Sequence, residues 1–136
     1  MGGIGKETFM NDDVELLKRL YTCFNARDID GVLVALDDDV AWANGMDGGH
    51  VHGHEALRAY WLRQWSMVDP RVEPINFQSM ADGAILAIIL QSVRDLQGNP
   101  LRDQPNGLKD KTVGHVFRIR RGKVVRFDIL NVAERQ

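Results

Sequence analysis

The amino-acid sequence predicts an α+β domain, and three observations carry that prediction. Apolar residues recur at spacings of three and four in the first half of the chain, which is typical of one face of a helix. After Pro70 they alternate with polar residues, which is typical of β-strands. The chain has 136 residues, of which 44% are hydrophobic and 26% charged, so it is expected to form one globular domain.

Three helices are predicted before Pro70. A polar run at residues 11–13 caps the first helix, whose apolar face includes Tyr21. Asp28 is predicted to cap a second, short helix. The third helix is expected at about residues 55–68. It should end there because Asp69 precedes Pro70, and a residue before a proline disfavours the helical conformation.

The second half of the chain predicts a sheet of about four long antiparallel strands and one short strand. The predicted strands cover residues 40–44, 72–80, 84–96, 112–121 and 123–132. Arg121-Gly122 is predicted to form the two-residue tip of the last hairpin. The polar segment 98–111 is long for a loop, so it is expected to be mobile or to cover a site. A strongly curved sheet that half wraps a helix leaves an apolar hollow, which is a common ligand site.

Charge and composition exclude several classes of protein. The formal net charge is -2, so no overall positive field attracts nucleic acid or anionic lipid. Cys23 is the single cysteine, which excludes an internal disulfide and fits a reducing cytoplasm. The longest apolar run, residues 84–90, is too short to span a bilayer. Residues 1–10 lack the pattern of a secretory signal. We expect a cytoplasmic protein with a flexible leader at 1–10 and one domain at 11–133.

Four local motifs follow one another along the chain. They are LYTCFNARDID at 20–30, LDDDV at 36–40, GHEAL with YW at 53–61 and HVFRIRRGKVVRFDI at 115–129. Their order and spacing resemble the nuclear transport factor 2-like superfamily, most closely its branch of SnoaL-like polyketide cyclases and ketosteroid isomerases. The resemblance implies a cone-shaped curved antiparallel sheet with three helices packed on its concave face. It also implies a homodimer that pairs through the outer face of the sheet.

The resemblance implies two alternative sets of catalytic residues. Ketosteroid isomerases use a carboxylate base, a tyrosine and a protonated aspartic acid, and the matching positions here hold Asn44, Leu20 and His115. A neutral amide cannot accept a proton near neutral pH, so ketosteroid isomerase chemistry is rejected. SnoaL-like cyclases use a histidine and an acid/base aspartate without metal or cofactor, and the matching residues are His115 and Asp128.

The register of the last hairpin bears on these two residues. If the loop has two residues, counting back from its tip places His115 opposite Asp128, with Cβ atoms about 5 Å apart. A carboxylate beside an imidazole holds its tautomer and raises its basicity. A one-residue bulge would instead turn Asp128 to the other face, where Arg118 and Arg126 are alternative partners. His115 lies in an apolar row, which is compatible with a pocket residue and with a core histidine.

The candidate ligand contacts are polar and aromatic residues of the predicted inner surface. Asn44 and Gln91 are candidates for orienting a carbonyl group by hydrogen bonds. Trp42 is expected to stack on a planar ligand. The further candidates, for which ordinary core packing is the alternative, are Tyr21, Trp61, Trp65 and Phe117.

The segment GHVHGHE at residues 49–55 contains three of the four histidines. It is interpreted as an extended segment that leads into a helix start, which does not supply the convergent ligands of a tight metal site. No metal and no cofactor are therefore expected. His52 is expected to flank the mouth of the pocket.

Two functions are predicted. The first is a cofactor-independent isomerase, cyclase or dehydratase that acts on a small apolar or aromatic carbonyl compound. The alternative is a non-catalytic domain that binds a hydrophobic ligand or serves for dimerisation. A hollow of several hundred Å³ with two or more converging polar groups would favour the enzyme, and a collapsed or wholly apolar interior would favour the alternative.

Overall fold

The computed structural model describes residues 2–101 and 111–130, with side chains from residue 11 onward. The elements within these ranges are α1 Gly2–Asn25, α2 Ile29–Val34, β1 Leu36–Ala43, β2 His50–His52, α3 His54–Trp65, β3 Asp69–Ser79, β4 Ile85–Arg94, β5 Lys111–Arg120 and β6 Lys123–Leu130. The predicted α+β fold with three helices is confirmed. In the same ranges, no helix is both long enough and apolar enough to cross a membrane.

Several predicted boundaries change: the third helix ends at Trp65, β3 begins at Asp69, and the starts of α1 and β1 also differ. The helix α1 begins at Gly2 instead of near residue 11, so the polar run at 11–13 lies within the helix and does not cap it. The β1 strand begins at Leu36 instead of at residue 40, so the acidic residues 37–39 belong to the strand. The predicted domain end at residue 133 and most of the segment 98–111 lie outside the described residues.

The sheet has the strand order β2-β1-β6-β5-β4-β3, and it is curled without closing into a barrel. The β1 strand runs parallel to β6, whereas the other neighbours are antiparallel. The predicted antiparallel arrangement is confirmed for the four strands β3 to β6, and the parallel pairing of β1 with β6 makes the sheet as a whole mixed. Alternation of apolar residues identifies a strand, but it carries no information on the direction of a partner far away in the chain.

The helices cover one face of the sheet, and apolar side chains fill the space between. Leu17 of α1, Leu57 of α3 and Phe117 of β5 are fully buried there. Burial of such surface is the main favourable contribution to folding. The end of α1 is tied to the edge strand β3, because the Asn25 side chain donates to the carbonyl of Val72 (2.8 Å) and accepts from its N–H (3.0 Å).

The segment after α1 is held by one arginine. Arg27 has a φ of 64°, and its guanidinium donates to Asp69 and to the carbonyl oxygen of Pro70 (2.7 Å). The guanidinium also lies 4.9 Å from the centre of the Trp65 ring. These contacts join the start of β3 to both α1 and α3.

The hairpin between β5 and β6 has the predicted tip and an unpredicted bulge. Arg121 and Gly122 both have positive φ, 54° and 77°, which fits a tight two-residue turn. Beyond the tip, the pair Ile119 with Val124 is followed by Arg118 with Arg126, so Val125 is an extra residue on β6.

The bulge decides which residue faces His115. His115 lies opposite Ile129, and Asp128 lies opposite Val116. The predicted cross-strand pair of His115 and Asp128 is therefore wrong. The period of a strand is two, so one inserted residue moves every later side chain to the other face.

Candidate functional site

A cavity of about 80 Å³ lies between α1, α3 and the inner face of the sheet. Most of its wall is aromatic or aliphatic, and among the described residues that line it none carries a charged side chain. The lining residues are Leu20, Tyr21, Phe24, Trp42, Ala43, Gly45, Tyr60, Trp61, Gln64, Pro70, Val72, Gln91, His115, Phe117, Phe127 and Ile129.

The structure brings six of the sequence-predicted site residues to this cavity. They come from α1, β1, α3, β4 and β5, so the tertiary fold assembles them from distant parts of the chain. These residues are Tyr21, Trp42, Trp61, Gln91, His115 and Phe117. The ring of Trp42 stacks on Phe127 of the neighbouring strand, with centroids 4.1 Å apart. Trp42 is thus packed as a wall of the cavity.

Two predicted ligand contacts lie elsewhere. The Asn44 side-chain oxygen accepts from the backbone N–H groups of Met46 (2.9 Å) and Asp47 (2.8 Å). Asn44 therefore shapes the loop after β1, and it does not line the cavity. Trp65 also lies outside the lining, because it stacks behind Trp61 with nearly parallel rings (9°) and centroids 6.0 Å apart.

His115 is the buried polar group of the sheet wall. Its Nδ1 lies 2.6 Å from the Tyr21 hydroxyl, and the two rings stack with centroids 5.8 Å apart. Burial, together with the positive charge of Lys111, lowers the pKa of His115 from 6.5 to about 3. The imidazole is thus neutral at physiological pH.

The hydrogen-bond partners indicate the tautomer of His115. Burial holds the pKa of Tyr21 well above its usual value, so the hydroxyl keeps its proton. Within the described residues, His115 is the one hydrogen-bond partner of that hydroxyl. A buried donor is costly to leave unmatched, so Tyr21 donates to Nδ1 and the ring proton lies on Nε2. His115 therefore has an N–H donor for the cavity.

A second polar group, on α3, is not among the site residues predicted from the sequence. The Tyr60 hydroxyl accepts from the N–H of Gly45 (3.1 Å) and lies 3.4 Å from the side-chain nitrogen of Gln64. Both Tyr60 and Gln64 are buried and line the cavity. A glutamine within an apolar helix face was the available signal, because a buried amide needs polar partners.

The remaining predicted residues lie on the outer face of the sheet. His52 pairs with Ala41 beside the inward Trp42, so its side chain is exposed and points away from the cavity. The prediction that His52 flanks the pocket mouth is corrected accordingly. Asp128 accepts from Arg126 Nε (2.8 Å) and lies 2.8 Å from His50 Nε2.

The outer cluster of His50, Arg126 and Asp128 has its own electrostatics. Burial by itself raises the pKa of Asp128, but hydrogen bonds and charge from Arg126 and His50 outweigh it, so the pKa lies below its usual value. The third histidine of the segment, His54, donates from Nε2 to the carbonyl oxygen of Leu36 (3.0 Å). The histidines of GHVHGHE thus have separate environments, and none of them lines the cavity.

Comparisons with known proteins agree with this fold. The family model described as a SnoaL-like domain matches residues 17–127. An NTF2-like protein of Burkholderia pseudomallei K96243 is 26% identical, with a TM-score of 0.72 over 90% of this chain and 93% of that chain. No curated protein matches.

Two further structures share the fold at lower identity. TerC, co-crystallised with polyporic acid, is 22% identical, with a TM-score of 0.72 over 90% of this chain and 92% of that chain. A putative polyketide cyclase of Sinorhizobium meliloti is 16% identical, with a TM-score of 0.66 over 85% and 93%. The family match covers most of the chain, and the curled sheet with three helices agrees with it. The chain belongs to the SnoaL-like domain family of the NTF2-like superfamily.

Proposed function

We propose that this protein binds a small apolar or aromatic carbonyl compound in its cavity and promotes proton transfer on it without a cofactor. The observation that carries the proposal is the hydrogen bond of 2.6 Å between Tyr21 and His115 at an aromatic cavity wall. The similarity to a putative polyketide cyclase and to a protein co-crystallised with polyporic acid supports it. The reaction type is that of an isomerase, cyclase or dehydratase.

The proposed chemistry uses His115 as a neutral donor. Its Nε2–H donates to the carbonyl oxygen of the ligand, and Tyr21 holds the ring in the tautomer that makes this possible. Water takes up the α-proton, the electron pair of the broken C–H bond forms the C=C bond of an enolate, and the π pair of the carbonyl group moves to its oxygen. Return of a proton from water to the α-carbon restores the ketone. The hydrogen bond to His115 stabilises the enolate oxygen, as a neutral imidazole can do because its depressed pKa keeps it uncharged.

Asp128 has no part in this proposal. It lies on the outer face with Arg126 and His50, whereas the ligand would lie on the inner face. His115 is thus proposed to act without Asp128, as a hydrogen-bond donor to the ligand and not as the group that takes up the proton.

The size of the cavity supports a second candidate function. Ligand sites usually measure about 300–1,000 Å³, and the space here is about 80 Å³. The converging polar groups favour the enzyme, but the small volume favours a domain that binds a small hydrophobic ligand without acting on it. The first test must therefore separate binding from chemistry, and it needs a small probe.

Hydrogen–deuterium exchange at the α-carbons of cyclohexanone supplies this test. Wild-type protein in deuterium oxide is expected to accelerate the exchange, measured by NMR, and His115→Gln is expected to slow the protein-catalysed rate by about 100- to 1,000-fold, the effect of losing one donor to the enolate oxygen. Asp128→Asn serves as the outer-face comparison and is expected to exchange at the wild-type rate. Equal rates in wild type and His115→Gln would refute the proposed chemistry. Binding of cyclohexanone without exchange would establish the non-catalytic alternative.

We also propose that the protein forms a homodimer through the outer face of the sheet. Three residues form a row across neighbouring strands on the outer face: Ile88 of β4 pairs with Gly114 of β5, and Gly114 pairs with Leu130 of β6. Their neighbours along each strand point to the inner face. Leu90 and Leu130 are large apolar side chains with 46% and 41% of their surface exposed. An exposed apolar patch favours association.

Sedimentation equilibrium is expected to give a dimer for wild type and a monomer for Leu130→Glu, whereas a wild-type monomer would contradict the proposal.

A further inference from the structure

The Tyr60 hydroxyl has more hydrogen-bonding capacity than its protein partners use. The hydroxyl oxygen receives hydrogen bonds from the N–H of Gly45 (3.1 Å) and from the Gln64 side chain (3.4 Å). A hydroxyl has two acceptor positions and one proton to donate. With both acceptor positions filled, the proton of Tyr60 points away from Gly45 and Gln64.

The proton of Tyr60 needs an acceptor that the described residues do not supply. Within that part of the chain, the hydroxyl oxygen receives hydrogen bonds from Gly45 and Gln64, and the N–H of Met46 also stabilises its charged form; all three groups are donors. Tyr60 has 8% of its surface exposed and lines the cavity. A buried donor is most stable when it meets an acceptor, so the oxygen atom of a ligand in the cavity is a suitable partner for this proton.

The Tyr60 hydroxyl is protonated at neutral pH and can therefore donate a hydrogen bond. Burial raises the pKa of Tyr60, and the backbone hydrogen bonds to its oxygen oppose that rise. The hydroxyl therefore keeps its proton at neutral pH, while the two hydrogen bonds that it accepts polarise the O–H bond and strengthen its donation.

The site as a whole is built for a neutral acceptor. Tyr60 on α3 and His115 on β5 line the same small cavity, and each has a donor proton available. Among the described lining residues, no side chain carries a positive charge that would pair with a permanently charged ligand such as a carboxylate. A ketone oxygen satisfies these donors without bringing a charge into an apolar space.

We propose that Tyr60 is a second hydrogen-bond donor, beside His115, to the carbonyl oxygen of the ligand, so that the cavity selects small neutral ketones over hydrocarbons of the same shape and over carboxylates. This inference rests on the proposed ligand site in the cavity, but it does not depend on whether the bound compound reacts. Gln64 and the loop residue Gly45 act as positioning groups, because they hold the Tyr60 oxygen.

The test compares cyclohexanone with methylenecyclohexane, in which a CH₂ group replaces the oxygen. Dissociation constants come from NMR titration of the purified full-length protein. Wild type is expected to bind the ketone more tightly than the hydrocarbon. Tyr60→Phe is expected to reduce this preference, which is the dissociation constant of methylenecyclohexane divided by that of cyclohexanone, by about 3- to 10-fold, because one hydrogen bond is lost. The affinity of Tyr60→Phe for methylenecyclohexane is expected to stay within about twofold of wild type, because the ring remains.

Two controls accompany this comparison. Leu62→Ala changes an exposed residue of the same helix and is expected to keep the wild-type ratio. Wild-type protein with ¹³C at the ζ-carbon of tyrosine needs no substitution at Tyr60, so it remains informative if Tyr60→Phe does not fold. Its Tyr60 resonance is expected to shift with cyclohexanone and not with methylenecyclohexane.

The outcomes separate this inference from the proposed catalysis. An unchanged ratio in folded Tyr60→Phe, or no response of the Tyr60 resonance, would overturn the role of Tyr60. Failure of cyclohexanone to bind, or tighter binding of cyclohexanecarboxylate, would overturn the assigned ligand class. A reduced ratio in a protein that does not catalyse exchange would support Tyr60 and reject only the chemistry at His115.

Discussion

The two faces of the β5–β6 hairpin carry two histidine environments of opposite character. On the inner face, His115 is buried against aromatic rings and bonded to the neutral hydroxyl of Tyr21. On the outer face, the partly exposed His50 lies 2.8 Å from the carboxylate of Asp128, which also binds Arg126. The same residue type thus meets an apolar cavity on one face and a charged cluster on the other.

The difference shows that burial, not sequence context, decides what a histidine can do. Desolvation keeps His115 neutral and leaves it as a donor of its ring proton. The outer cluster holds its charges close to water, where they are screened. Chemistry on a neutral ligand therefore fits the inner face, and a salt-sensitive surface contact fits the outer face.

The largest expected effect is acid destabilisation through His115. Its pKa is about 3 in the folded protein against an ordinary value of 6.5, so the unfolded chain binds the proton first as the pH falls. The free energy of unfolding is therefore unaffected by this group above pH 6.5 and decreases as the pH falls from 6.5 toward 3. The full loss is about 5 kcal/mol, from 3.5 pKa units at about 1.4 kcal/mol each.

Urea unfolding at successive pH values checks this linkage. The measured quantity is the free energy of unfolding of wild type minus that of His115→Gln. This difference should decrease as the pH falls below 6.5, because only wild type has the titrating ring. His52→Gln replaces an exposed histidine and is expected to follow wild type. Parallel curves for wild type and His115→Gln would show that His115 is not held neutral by the fold.

The next effect concerns the hydrogen bond of the inner face. Tyr21→Phe leaves Nδ1 of His115 without its donor in a buried site, which is expected to cost about 1–3 kcal/mol. Chemical denaturation measures the loss. The cost should be nearly the same at low and high salt, because neither partner is charged. A neutral or stabilising substitution would indicate that this bond contributes nothing net to the fold.

The smallest effect is expected on the outer face. Asp128→Asn removes an ion pair whose side chains are 46% and 34% exposed, so the loss at pH 7 is expected to be at most about 1 kcal/mol. The lowered pKa of Asp128 means that its contribution is present above the usual carboxyl pKa and is lost as the pH falls through the folded value. Raising the salt concentration should remove the difference from wild type. A large loss of unfolding free energy in Asp128→Asn that does not depend on salt would show that the outer cluster is not screened by solvent, contrary to the difference proposed between the two faces.

Local patterns in the sequence predicted the helices, most strands and six of the residues that line the cavity. The periodicity around Tyr21 and Trp61 identified the helices, and Trp42, Gln91 and His115 were placed on the inner surface by alternation. Asn44 was misassigned because an amide after a strand can serve the backbone of its own loop as well as a ligand. Tyr60 was missed because a tyrosine on an apolar helix face is usually core.

The sequence by itself determined what depends on a few neighbouring residues. It determined the order of helices and strands, the capping of α2 by Asp28 and the hairpin tip at Gly122. Intrinsic dihedral preferences and side-chain periodicity act within such short distances.

Only the tertiary structure decided what depends on packing between distant residues. It set the parallel pairing of β1 with β6, the bulge at Val125 that turns Asp128 outward, and the contact of Tyr21 with His115 across 94 positions of sequence. A strand can pair in several registers at similar local cost, and the register that buries the inner apolar row determines which polar group enters the cavity.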